Sequence, residues 1–198
     1  MGPAEPIKTH CSYEEYLALE QQDGVRYEYY RGEVFAMAGG TKRHNRISKN
    51  MVAALDSLLS NDCESFIGDV KVEIFPEGYY VYPDIAVTCD PQDLENDQKD
   101  FIQHPSLIIE VLSKSTQHDD LDNKKDAYLR LPYLEYYVLV SQEQCLIRLC
   151  ERQKDFWAYK SYDSPDQSIA FPKLNLTLKV SDIYKRVDFG TSDPPQIR

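Results

Sequence analysis

The sequence predicts an α+β fold, a central mixed β-sheet flanked by helices. Three observations carry it. First, the elements read as helix, hairpin, helix, three strands, helix, then strands, an order that favours a mixed sheet with helices on its faces. Second, Ile47, Met51, Ala54, Leu55 and Leu58 recur at helical spacing over about Thr41 to Ser60. Third, Leu107-Ile108-Ile109-Glu110-Val111-Leu112 is apolar on both faces except at Glu110, the pattern of a strand covered on both sides. A chain of 198 residues suits one domain. Residues 1–11 read as a loose N-terminal segment, 12–190 as the domain and 191–198 as a frayed tail.

The elements follow from local chemistry. Ser12-Tyr13-Glu14-Glu15 is a capping box, with Ser12 at the N-cap and Glu15 three residues on, opening a helix that runs to about Gln21. Arg26 to Ala38 reads as a β-hairpin turning near Arg31-Gly32, and Gly39-Gly40 ends it. The Thr41–Ser60 helix comes next. Cys63 to Phe75 and Tyr79 to Val87 read as two strands around Pro76-Glu77-Gly78, with Tyr82-Pro83-Asp84 inside the second. Within the first, Lys71 and Glu73 alternate with Val70 and Val72 and mark a polar strand face. Asp90 to Asp100 is an acidic loop or short helix. After the Glu110 strand, Asp119 to Arg130 is a helix, and Tyr136 to Ser141 a strand. Leu146 to Cys150 and Trp157 to Tyr162 form a further hairpin. Leu176 to Val180 and a short helical turn close the fold.

Composition narrows the function classes. The net charge of −11 argues against a general nucleic-acid coat, which needs many Lys and Arg against phosphates. A local basic run remains, Lys42-Arg43-His44-Asn45-Arg46 followed by Lys49. The aromatics, 15 tyrosines among them, are scattered and form no stacking platform along the chain. Cys11, Cys63, Cys89, Cys145 and Cys150 are odd in number and include no Cys-x-x-Cys pair. They read as reduced thiols rather than zinc ligands. With no secretory signal and no long apolar run, the expectation is a cytoplasmic protein that does not enter the membrane.

The chemistry gathers around Glu110. A buried carboxylate is costly unless a metal, a cation or a proton compensates it. Asp84 opens a neighbouring strand, and pairing of the two strands would let both acids converge on one cation. Mg²⁺ suits such a pair, because it takes one or two carboxylates with water and phosphate oxygens. Plainer readings stand beside this one: Asp84 bonding backbone N–H groups at a strand start, and Glu110 in a buried ion pair. With Leu121 as reference at 100° per residue, Lys124 falls inside the apolar arc of its helix with Tyr128 and Leu131, and Lys125 outside. Lys124 therefore points toward the sheet, where it orients water, neutralises phosphoryl charge, or snorkels at the helix edge. Glu28 is either a third carboxylate or a solvated hairpin charge. His44 continues the apolar face of its helix, as a packed histidine or a phosphate contact.

Taken in order, Pro83-Asp84, Glu110-Val111-Leu112-Ser113, Asp120-x3-Lys124-x3-Tyr128 and Glu135-Tyr136-Tyr137 resemble the Uma-two-type endonuclease family of the PD-(D/E)XK nuclease superfamily. Tyr27-Glu28, Gly32-Glu33 and His44 resemble its N-terminal pattern. The likeness spans roughly residues 12–185. It implies a restriction-endonuclease-like core and a Mg²⁺-dependent site, with Mn²⁺ as substitute, that hydrolyses DNA phosphodiester bonds. It implies metal ligation by Asp84 and Glu110, a catalytic role for Lys124 and a supporting acid in Glu28. The fold class adds the expectation of a homodimer on DNA, with Lys42, Arg43, His44 and Arg46 as weaker DNA contacts. The sequence departs from the superfamily at position 112, where a strict (D/E)-x-K would put lysine and Leu112 stands. Ser113-Lys114-Ser115 adds Lys114 as a competitor for the lysine role. A nuclease fold that binds DNA or a protein without cutting is the alternative.

Overall fold

The computed structural model describes residues 5–37, 39–95, 99–112 and 120–190. Helix α1 (Tyr13–Asp23) starts at the expected capping box: Ser12 Oγ accepts from the Glu15 N–H and Glu15 Oε2 from the Ser12 N–H. Strands β1 (Tyr27–Tyr30) and β2 (Glu33–Ala36) form the expected hairpin, with Arg31 and Gly32 both at positive φ as a tight hairpin turn requires. Helix α2 (Lys42–Asp56) is capped by Thr41, whose Oγ1 accepts from the His44 N–H. It ends earlier than its periodicity suggested, with Ser57 at the C-cap and Leu58 out in solvent.

The next two strands are each split. The outgoing arm runs β3 (Glu64–Ile67) then β4 (Lys71–Phe75); the return runs β5 (Tyr79–Val81) then β6 (Ile85–Thr88). β4 pairs with β5 in one sheet and β3 with β6 in another. The hairpin expected as two continuous strands is thus bent across two sheets. Gly68, at φ +62°, bends one side. Pro83 bends the other, because it has no N–H for a ladder. The Gly68 N–H bonds the Asp84 carbonyl at 3.0 Å and holds both bends at one level. Asp84 therefore sits at the passage between sheets rather than within a strand.

After the short helix α3 (Pro91–Leu94) and β7 (Phe101–Ile102) come β8 (Pro105–Leu112), α4 (Asp120–Arg130) and β9 (Tyr136–Ser141). β8 and β9 are parallel neighbours, so α4 is the crossover between them. Then follow β10 (Ile147–Arg152), β11 (Trp157–Tyr162), β12 (Ser168–Phe171), a 3₁₀ turn (Pro172–Leu174), β13 (Leu176–Lys179) and α5 (Val180–Ile183). The first sheet has the order β2-β1-β5-β4-β7 and the second β11-β10-β9-β8-β6-β3, with β12-β13 as a separate ribbon. The second sheet is mixed, as expected.

The two faces of β8 serve two cores. Leu107, Ile109 and Val111 pack with Ile47, Met51 and Leu55 of α2. Ile108, one period before Glu110, packs with Tyr128, Leu131 and Tyr137 beneath α4. Two polar residues depart from expectation. Lys71 and Glu73 are buried rather than on a solvated strand face. Lys71 is enclosed because Glu20 and Asp100 both meet its ammonium at 2.7 Å, and Glu73 because Tyr80 donates to it at 2.6 Å.

The thiol expectation also needs correction: Cys63 and Cys89 form a disulfide, while Cys11, Cys145 and Cys150 stay free. The cause is register. Antiparallel pairing of Glu64 with Thr88 sets the residues just beyond, 63 and 89, face to face with Cα atoms 4.0 Å apart. No described helix is long and apolar enough to cross a membrane.

Candidate active site

A cleft of about 870 Å³ opens between the two sheets and beside the first turn of α2. Glu28, Asp84, Glu110 and Lys124 all line it. The register explains the central pair. β6 runs antiparallel to β8 with Ile85 opposite Ile109, so the preceding residue, Asp84, comes opposite Glu110. Asp84 Oδ2 accepts from the Val111 N–H at 2.6 Å, which fixes the carboxylate against β8. Its Oδ1 lies 3.0 Å from His44 Nε2. Glu110 Oε1 accepts from the Tyr128 hydroxyl at 3.0 Å. One turn earlier on α4, Lys124 Nζ meets Glu28 Oε1 at 2.6 Å, and Glu28 also accepts from the Tyr82 N–H at 3.4 Å.

These contacts set the charges. Burial first, then the neighbouring Asp84 carboxylate, push Glu110 up to about 8; the Lys124 charge and the Tyr128 hydroxyl pull the other way. Burial works against the Lys124 ammonium, but Glu28 and Glu110 outweigh it and hold the amine above the usual lysine range. The hydrogen bond to Asp84 raises His44 despite its burial. Burial, reinforced by Glu110 and Glu28, keeps the Tyr128 hydroxyl protonated far above its usual range. Tyr128 is therefore a donor and Lys124 a fixed cation.

Of the residues the sequence singled out, Glu28, Asp84, Glu110, Lys124 and His44 meet in this cleft. Lys125 does not: its amine lies 5.3 Å from the Tyr159 ring centroid, away from the acids. Lys114 lies outside the described residues. The basic run does not act as one surface, because helical rotation spreads it. Arg43 turns inward to the Gln142 carbonyl at 3.0 Å and to Glu143 at 3.8 Å. Lys42 stays exposed, and Arg46 faces a different concavity.

The cleft also holds residues that the sequence reading passed over. Tyr30, Phe75 and Tyr79 stand together on the wall formed by the first sheet, with the Arg31 guanidinium 5.5 Å from the Tyr30 ring centroid and 5.6 Å from that of Phe75. Only strand pairing, Tyr30 opposite Tyr79, makes these aromatics neighbours. Gln142 joins α2 to the site by accepting from Thr41 Oγ1 at 2.7 Å, and nothing in the local sequence marks it.

Among the described residues, no group of three or more His, Cys, Asp and Glu side chains is arranged to hold a metal. The donor set nevertheless suits Mg²⁺, which takes few protein carboxylates and keeps its waters. Asp84 and Glu110 are opposed, and Asp84 destabilises the charge of Glu110. A divalent cation between them would relieve that repulsion.

The crossed sheets, the βαβ unit and the acid-lined cleft define a protein of nuclease-like fold. The chain belongs to the Uma2 family, described as "Putative restriction endonuclease", whose model matches residues 13–181. It is 36% identical over 190 residues to the uncharacterized protein slr1290 of Synechocystis sp. (strain ATCC 27184 / PCC 6803 / Kazusa), covering 95% of this chain and 98% of that one. The uncharacterized protein sll1609 of the same organism is 32% identical over 129 residues, 65% of this chain and 73% of that one. A crystal structure of "a putative nuclease belonging to DUF820" from Anabaena variabilis ATCC 29413 superposes with a TM-score of 0.68. It covers 87% of this chain and 97% of its own at 18% identity, which speaks to the fold alone.

Proposed function

We propose that this protein is a Mg²⁺-dependent endonuclease acting on DNA, with Asp84 and Glu110 as metal ligands and Lys124 as the active-site cation. The observation that carries this reading is the register that opposes Asp84 to Glu110 while α4 brings Lys124 over the same cleft. When bound, the metal polarises the phosphate and activates water. The chain's own residues do the rest. Asp84 is aimed by the Val111 N–H, and Glu110 is oriented by the Tyr128 hydroxyl. Lys124, kept charged by its neighbours, neutralises charge developing on the phosphoryl oxygens. It cannot serve as a base in that state. Glu28 steers the amine, and His44 steadies Asp84 and reaches the phosphate from α2.

A homodimer would present two such sites to a duplex, and cytoplasmic DNA is the substrate pool for this reading. Mn²⁺ is expected to substitute for Mg²⁺. The test is cleavage of supercoiled plasmid, linear duplex, single-stranded DNA and RNA with either metal, beside EDTA and Asp84→Ala controls. Metal-dependent cutting lost in the variant supports the proposal; equal cutting by Asp84→Ala overturns it.

A second reading is a nuclease fold that binds DNA without cutting it. Lys124 spends its charge on Glu28, and Leu112 stands where the superfamily has its lysine. Salt-sensitive DNA binding with no cutting of any substrate would favour that reading.

A further inference from the structure

On the outer face of α2, away from the carboxylate cleft, lies a concavity of about 250 Å³ lined by Arg46, Lys49, Asn50, Lys185 and Arg186. No carboxylate lines it. Among the described residues, none of its four cations makes an ion pair. That segregation is unexpected in a chain with 33 acidic and 22 basic residues. Like charges gathered in one hollow repel one another, and a bound anion offsets that cost.

The hollow is also held in shape. The side-chain amide of Asn50 donates to the Ile183 carbonyl at 3.0 Å and the Lys185 carbonyl at 2.8 Å, clamping the segment after α5 onto α2. Arg186 leaves that segment at φ +60°, a left-handed conformation that turns the chain back. Two basic pairs from distant parts of the sequence are thereby brought together. The sequence had placed Arg46 and Lys49 in one run with Lys42, Arg43 and His44; the fold sets the two beside Lys185 and Arg186 instead.

We propose that this hollow binds phosphate oxygens of a nucleic-acid backbone, as a second contact outside the acidic cleft. Guanidinium forks and ammonium groups are the chemistry for phosphate oxygens. α2 supplies the spacing: at 1.5 Å rise per residue, Arg46 and Lys49 lie roughly 3 and 8 Å further along the axis than His44, which faces Asp84. Rotation at about 100° per residue sets both roughly 140–160° round the helix from His44, so a backbone with one phosphate at the cleft reaches this face by passing around α2. The choice of nucleic acid rests on the nuclease reading; the anion site itself does not.

The test is binding of a short fluorescent duplex, and of its single strand, to the full chain in EDTA across a range of NaCl concentrations. The Lys49→Gln/Lys185→Gln variant is expected to bind about 10-fold or more weakly. Its log–log salt slope should be shallower by about 2, since each phosphate contact contributes roughly 0.9. Its melting temperature should equal or exceed that of the wild type, because repulsion is removed. Lys49→Gln alone, on an exposed helix face, should change the slope by about 1 and serves if the double variant misfolds. Equal affinity and slope in wild type and variants overturn the site. Pyrophosphate that raises the wild-type melting temperature through these lysines, with no DNA binding, overturns the nucleic-acid occupant. Absent cleavage with Mg²⁺ but a retained slope difference defeats the nuclease reading and leaves this one standing.

Discussion

Lys124 and Glu28 are 96 residues apart in the chain and meet at 2.6 Å across the cleft. The lysine rides on the crossover helix of the second sheet, the glutamate on a strand of the first. One ion pair therefore ties the two halves of the site together, with the lysine side chain 27% and the glutamate 15% exposed.

This pair predicts different losses for its two members. Lys124→Ala should reduce metal-dependent cleavage about 10²- to 10³-fold, the usual cost of removing one group that stabilises transition-state charge. Glu28→Gln leaves the amine but removes the strongest influence holding it charged. Cleavage should then fall less, and its alkaline limb should move to lower pH. Plasmid nicking followed across pH checks both; unchanged profiles in both variants would remove Lys124 from the mechanism.

The bond between His44 and Asp84 predicts a linked titration. The acid raises the histidine, so Asp84→Asn should bring the His44 midpoint down in an NMR titration of the ring protons. The sign for stability follows. A raised histidine stabilises the fold below its unfolded value of about 6.5, and that contribution fades as pH rises through the folded value. Wild type should therefore lose stability relative to Asp84→Asn across that window. An unmoved midpoint would show that the contact does not persist in solution.

Local signals made much of this fold legible, and long-range ones hid the rest. The Ser12 capping box, the β1–β2 hairpin, the α2 stripe and the doubly buried β8 rest on neighbouring residues, and the sequence displays them. Lys124 was separable from Lys125 by helical rotation alone. Lys71 was misread because an alternating lysine in a strand looks solvated; its enclosure depends on Glu20, 51 residues away. Pro83 lacks the N–H that a ladder needs, but a change of sheet at that point depends on what β4 and β8 pair with. The aromatic wall of Tyr30, Phe75 and Tyr79 is likewise a product of pairing, not of spacing.

The Cys63–Cys89 bridge is another product of pairing, and it predicts a thiol count. Alkylation of the denatured, unreduced protein should label Cys11, Cys145 and Cys150 alone, and reduction should add Cys63 and Cys89. A bridge closing a 26-residue separation should stabilise the fold by about 3.5 kcal/mol in the chain-entropy account. Cys63→Ser should lower the unfolding midpoint under non-reducing conditions and leave it unchanged relative to wild type in reductant. Five reactive thiols without reductant would return these cysteines to the reduced state that composition suggested.

Glu110 predicts an opposition between stability and function. Its folded-state pKa of about 8 lies above the unfolded carboxylate range, so the folded apo protein holds that proton more tightly. The sign is the reverse of the usual acid: wild type is favoured below about pH 4.5 and loses stability as pH climbs toward 8. Glu110→Gln, which keeps the shape and the Tyr128 contact, should escape that loss. In the absence of metal it should be more stable than wild type at pH 8 and about equal near pH 4. Mg²⁺ should raise the wild-type melting temperature and leave that of Glu110→Gln unmoved, because the variant lacks the negative charge that the cation would balance. Urea denaturation at both pH values, with and without Mg²⁺, measures all of this. A Glu110→Gln protein less stable than wild type at pH 8 would mean that the carboxylate is held by a compensating cation already, and that this position is structural rather than a metal site.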